Sequence, residues 1–199
     1  MYGVLLNFAA ERTAWAARME QPPYLGAPRA PVLYVKTANT YSAAGAGIVL
    51  PADVAEVEVG ATVAMVMGRG AQVEAWVLLN DLTVPHASCY RPPIRHKCRD
   101  GFLGIGARAL PASEAGDPAG FGLEVRINGD LRQRVRFDAL VRDAAALRAD
   151  VADFMTLREG DLLMLGCDAG RPLARAGDHV EIAAPGFPVL ANTLVAEAA

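Results

Sequence analysis

Between Asn80 and Phe102 the chain reads Asn-Asp-Leu-Thr-Val-Pro-His-Ala-Ser-Cys-Tyr-Arg-Pro-Pro-Ile-Arg-His-Lys-Cys-Arg-Asp-Gly-Phe. Two carboxylates (Asp81, Asp100), one lysine (Lys97), two histidines (His86, His96), three arginines and two thiols are concentrated in this single segment. It follows the apolar run Trp76-Val77-Leu78-Leu79, so it reads as a polar loop hung from a buried strand, where binding and chemistry usually sit. A zinc cluster of His86, Cys89, His96 and Cys98 is one reading. Its His-x-x-Cys and His-x-Cys spacing is not a structural-zinc pattern, and dispersed loop histidines are more often solvated.

Such a loop needs a scaffold. Met1 to Phe8 reads as a short buried strand and Glu11 to Met19 as a helix. Gln21 to Pro31, with four prolines, reads as an extended arm. Val32 to Lys36 and Val57 to Met67 are β-branched and apolar, hence strands. Phe121 to Ile127 meets Asn128-Gly129, a tight-turn signal, with a return strand toward Phe137. Leu140, Ala144, Leu147, Val151 and Phe154 recur at helical spacing, which predicts a helix over 138–154 capped by Asp138. Arg158-Glu159-Gly160-Asp161 and Arg175-Ala176-Gly177-Asp178 read as turns into the apolar runs Leu162–Leu165 and Val180–Ala183. The pattern predicts a β-rich α+β fold with one or two helices.

Composition narrows the function classes. With 199 residues, 53% hydrophobic and 21% charged, the chain reads as a soluble globular protein able to bury a full core. A formal charge of −3 offers nothing to nucleic acid or to an anionic membrane surface. No apolar run is long enough to span a bilayer, and Met1-Tyr2-Gly3-Val4 lacks the basic start of a signal peptide. Three cysteines suit a reducing compartment, so a cytoplasmic protein is expected.

Several stretches resemble the fumarylacetoacetate hydrolase superfamily. Asn80-Asp81-Leu82-Thr83 resembles its Asn-Asp motif, and Lys97-Cys98-Arg99-Asp100-Gly101-Phe102 its Lys-x-x-Asp-Gly-Phe motif. Lys36-Thr37-Ala38-Asn39-Thr40, the Ile127–Gln133 hairpin and Phe154–Asp161 match further motifs. So does the closing stretch from Gly177-Asp178 to Asn192, and the likeness runs from about Tyr34 to Val195. It implies a mixed β-sheet roll like the family's C-terminal domain over residues 31–199, preceded by a strand-and-arm region over 1–30. Pro85-His86, Tyr90-Arg91-Pro92 and the lysine motif resemble the branch that isomerises and decarboxylates intermediates of homoprotocatechuate (4-hydroxyphenylacetate) breakdown, and its N-terminal half in particular.

The family holds Mg²⁺ or Mn²⁺ on a Glu-x-Glu and the Asp of its Asn-Asp motif, stabilising an enolate as a proton moves or carbon dioxide leaves. Here Asp81 remains, but the glutamate positions fall on Gly60 and Thr62, which implies weak or absent metal binding. A Glu-x-Glu at Glu56 and Glu58 lies four residues upstream, about 13 Å away along a strand, and reads as two solvated acids. Returning glutamates to Gly60 and Thr62 is expected at this level to restore metal affinity. The resemblance further implies Lys97 and Asp100 as catalytic residues, and His86, Arg91, Gln133 and Cys167 as substrate-binding residues. Cys167 stands where the family has a threonine. The implied ligands are dicarboxylate or tricarboxylate 2-oxo acids, with no nucleic acid and no membrane. The chain is then expected to be a subunit of a 2-hydroxyhepta-2,4-diene-1,7-dioate isomerase / 5-oxopent-3-ene-1,2,5-tricarboxylate decarboxylase, working as a homo-oligomer or as a heteromer with a homologous metal-competent subunit. The alternative is a metal-poor, non-catalytic partner of such a subunit.

Overall fold

The computed structural model describes residues 1–87 and 94–198. In chain order the strands are β1 (Tyr2–Leu5), β2 (Val32–Val35), β3 (Tyr41–Ala43), β4 (Gly47–Leu50), β5 (Val57–Glu58), β6 (Ala61–Met67), β7 (Val73–Asp81) and β8 (Leu103–Ile105). They continue with β9 (Leu110–Pro111), β10 (Gly122–Ile127), β11 (Asp130–Arg136), β12 (Leu162–Met164), β13 (Leu173–Ala174), β14 (His179–Ala183) and β15 (Leu190–Ala196). The α-helices are α1 (Ala9–Met19), α2 (Ile94–Lys97), α3 (Ala112–Ala115) and α4 (Ala144–Ala152). The fold is mixed α+β and rich in sheet.

An eight-stranded sheet runs β2-β1-β12-β6-β7-β8-β3, with β9 added to β7. A five-stranded sheet runs β11-β10-β14-β15-β4, and β13 pairs with β5. The main core fills the space between the two sheets. Strand alternation sends Val63, Met65 and Met67 of β6 and Trp76 and Leu78 of β7 into it, where they meet Leu123, Val125, Ile182 and Leu190 of the smaller sheet. The intervening residues point to the opposite face of the large sheet. There Ala64, Val77, Leu79, Leu103, Met164 and Tyr34 form a second apolar cluster with Leu5, Leu6 and Met19, from the ends of β1 and α1. Asp81, Thr62 and Gly60 share the parity of that second face, so the polar site is built there.

The Asn128-Gly129 turn behaves as its composition predicts, with φ of 54° and 85° at the two central residues joining β10 to β11. Two expected elements differ. The helix expected over 138–154 begins only at Ala144, because Asp138 lies in a 3-10 turn and Leu140 is drawn into a bridge with Phe8. Asp143 supplies the cap instead, accepting the Ala146 N–H at 2.7 Å. The strand expected from Val57 to Met67 breaks into β5 and β6 at Val59-Gly60, where the chain leaves β13 for β7.

Candidate active site

Asp81 ends β7 and is wholly buried. Its Oδ1 lies 2.8 Å from Lys36 Nζ, a close ion pair whose angle falls short of an aligned hydrogen bond. Its Oδ2 accepts from Lys97 Nζ at 2.7 Å and from the Tyr34 hydroxyl. Tyr34 and Lys36 alternate along the end of β2, which puts both on the face that looks at Asp81. Lys36 also donates to the carbonyls of Leu82 at 3.1 Å, Phe102 at 2.7 Å and Lys97, so it ties β7 to the end of α2. Lys97 donates a second bond to Thr83 Oγ1 at 2.7 Å and lies 4.5 Å over the Tyr34 ring. Burial alone would push the Asp81 carboxyl up. The two ammoniums, Lys36 foremost, outweigh it and hold the carboxyl well below the usual carboxylate range. Burial, and then the Asp81 charge, push the Tyr34 phenol up. The Lys36 ammonium is pulled down by burial against the opposing pull of Asp81.

Beside this cluster lies a cleft of about 170 Å³. Its walls include Glu11 and Trp15 of α1, Glu58 of β5, His86, Lys97 and Arg171. Leu6, held at φ 60°, turns the chain from β1 into α1 and aims its N–H at Glu11 Oε2, 2.6 Å away. The Arg171 guanidinium bridges Glu11 and Glu58, the latter at 3.0 Å. Glu58 is thus partly buried in an ion pair rather than a solvated acid, while Glu56 is exposed. Burial pushes the Glu11 carboxyl up against the pull of Arg171.

A family model for the fumarylacetoacetate (FAA) hydrolase C-terminal domain matches residues 1–195. The chain belongs to the fumarylacetoacetate hydrolase family. The 4-hydroxyphenylacetate degradation bifunctional isomerase/decarboxylase of Salmonella dublin is 35% identical over 99% of this chain and 47% of its own length. The Escherichia coli protein described in the same words is 33% identical over the same shares. The chain spans about half the length of these curated relatives. Among solved structures, a 5-carboxymethyl-2-hydroxymuconate delta-isomerase from Mycobacterium smegmatis superposes with a TM-score of 0.81 at 26% identity, covering 100% of this chain and 79% of that one. A Pseudomonas aeruginosa fumarylpyruvate hydrolase, solved with Mn²⁺ and pyruvate, superposes at 0.83 with 24% identity, covering 98% and 89%, which speaks for the fold.

Within that family fold, the residues expected from the sequence fall in three groups. Asp81, Lys97 and His86 come together, with His86 stacked on His96 at 4.5 Å between ring centroids. Cys167 and Gln133 shape the neighbouring loop. The Cys167 thiol is buried, pushed up to about 12 by burial and then by Asp81, and Gln133 Nε2 donates to the Ala169 carbonyl at 2.8 Å. Asp100 is exposed and accepts from Asn39 Nδ2 at 2.6 Å, outside the cleft. Arg91 lies outside the described residues, as does Cys89 of the zinc reading. Sequence reasoning missed Tyr34, Glu11 and Arg171, and it quoted Lys36 without giving it a role. The available signal was a lysine two residues after a tyrosine at the end of an apolar strand, where a buried ammonium needs an acid or carbonyl acceptors around it.

The family's metal does not fit this site. Both Asp81 oxygens already lie against cations, Lys36 in an ion pair at Oδ1 and Lys97 at Oδ2 beside the Tyr34 hydroxyl, and the Thr62 hydroxyl is given to the Gly166 carbonyl. Gly60 does face Asp81, as the motif alignment requires. A Cβ there, however, would lie 2.5 Å from the Asp81 carbonyl oxygen and 3.0 Å from Cys167 Sγ. The expectation that glutamates at 60 and 62 restore metal binding is therefore reversed. Gly60→Glu with Thr62→Glu should lower stability by at least about 1–3 kcal/mol from overpacking, with no recovery on adding Mn²⁺. Thermal melts with and without the ion check this, and a melting point restored by Mn²⁺ would refute it.

Proposed function

We propose that the chain is the metal-poor half of an isomerase/decarboxylase of homoprotocatechuate breakdown, acting on 2-hydroxyhepta-2,4-diene-1,7-dioate or 5-oxopent-3-ene-1,2,5-tricarboxylate. It works in an assembly with a homologous half whose Glu-x-Glu is intact, and that half carries the metal-dependent step. One observation supports this most: ammonium groups from Lys36 and Lys97 sit on the two oxygens of the only family metal ligand that remains. The relatives' double length and the shared fold support the assembly.

The test compares turnover of both substrates with Mg²⁺ by this chain, by a homologue with the intact motif, and by the two co-expressed. The expected result is no metal-dependent turnover by the chain alone and full turnover by the pair, with the chain co-purifying. Turnover by the isolated chain that rises with Mg²⁺ would overturn the reading.

A further inference from the structure

The Arg171 guanidinium carries five N–H donors. Among the described residues, Nε donates to the Asp168 carbonyl at 3.2 Å, one terminal nitrogen to Glu58 and the other to Glu11. The two carboxylates are not equivalent. The Glu11 side chain is 6% exposed and is anchored through its second oxygen by the Leu6 N–H. The Glu58 side chain is 28% exposed and, among the described residues, is held through Oε2 alone, from a two-residue strand at the cleft edge. One partner is built in, and the other can swing into water.

We propose that Arg171 is a carboxylate seat: Glu58 fills it as an internal stand-in, and a small organic acid displaces Glu58 and lies along Trp15, with no metal ion taking part. This deepens the reading above, since it assigns a ligand to the same cleft. Exchange, rather than addition, is what the charges demand. Among the described residues, Lys36, Lys97 and Arg171 are already matched by Asp81, Glu11 and Glu58, and bringing a further anion into a partly desolvated, balanced set is costly. Swapping one carboxylate for another at the terminal nitrogen that Glu58 now holds keeps the guanidinium matched, with the second carboxylate of a diacid left in water. The apolar wall of Leu5, Ala14 and Trp15 suits a short hydrocarbon chain. A volume of about 170 Å³ suits a small acid rather than a nucleotide or coenzyme, whose sites run to about 300–1,000 Å³.

The test is calorimetric titration of the full chain, in buffer stripped of metal on a chelating resin, with glutarate as the probe and glutaramide as its neutral control. Glutarate is expected to bind saturably and glutaramide not at all. Glu58→Gln should tighten glutarate binding about tenfold, the factor expected if the internal stand-in fills the seat about nine-tenths of the time. Arg171→Gln should weaken it at least about tenfold, a guanidinium–carboxylate pair being worth more than that. An unchanged or weaker affinity in Glu58→Gln, or no glutarate binding in either protein, overturns the seat. That comparison stands even if Arg171→Gln does not fold. Turnover by the co-expressed pair without glutarate binding would strike the seat and leave the assembly, and glutarate binding without turnover would do the reverse.

Discussion

Replacing Asp81 by asparagine is expected to cost about 3–5 kcal/mol of stability, because it leaves two buried ammonium groups without their counter-charge. For a chain of this length that is a fall in melting temperature of about 6–20 °C, at about 2–4 °C per kcal/mol. The effect carries a pH signature. The folded Asp81 carboxyl lies below its unfolded value, so its contribution is fully present above the unfolded pKa of about 3.9 and is lost as pH falls through the folded one. Glu11, whose carboxyl is raised, works with the opposite sign, and the difference between wild type and Asp81→Asn isolates Asp81. Melts between pH 2 and 7 should show the variant's deficit shrinking at the acid end. A deficit under about 1 kcal/mol, the range of an exposed pair, would mean that the cluster is not the buried ion network described here.

Lys36→Met should be nearly as damaging, at about 3 kcal/mol or more, although methionine fits the volume of the site. The loss strips three carbonyls, those of Leu82, Lys97 and Phe102, of a buried donor and leaves Asp81 with Lys97 and Tyr34 alone. Combining Lys36→Met with Asp81→Asn removes one cation and the anion together, so the double variant should be more stable than the summed losses by about 2 kcal/mol. Denaturant titration of the four proteins gives that coupling. Strict additivity would show that Lys36 acts on the backbone carbonyls and not on Asp81.

The fold was readable where one physical signal dominated. The Asn128-Gly129 turn needs two left-handed residues and took them, and the alternation through Val63, Met65 and Met67 put one face of β6 into the main core. The start of α4 was not, since two acids five residues apart can both cap a helix and the Phe8–Leu140 bridge decided between them. The site was half legible. Motif order placed Asp81, Lys97 and Gly60 together, and spacing along a strand could even tell which face they shared. It could not show that a lysine just past β2, far off in sequence, closes on the same carboxylate, or that Glu58 turns inward to Arg171. Those contacts depend on how sheets curl and loops fold back, and no local periodicity encodes that.

Lysine ammoniums stand at Asp81 where the family holds a metal, and Mn²⁺ reports on this directly. Electron paramagnetic resonance of Mn²⁺ titrated into the purified chain at neutral pH should keep the full six-line signal of the free ion at every ratio, because Lys36, Lys97 and Tyr34 already occupy both Asp81 oxygens. Stoichiometric loss of that signal at one Mn²⁺ per chain, abolished by Asp81→Asn in a variant shown to be folded, would mean that Asp81 still ligates a metal.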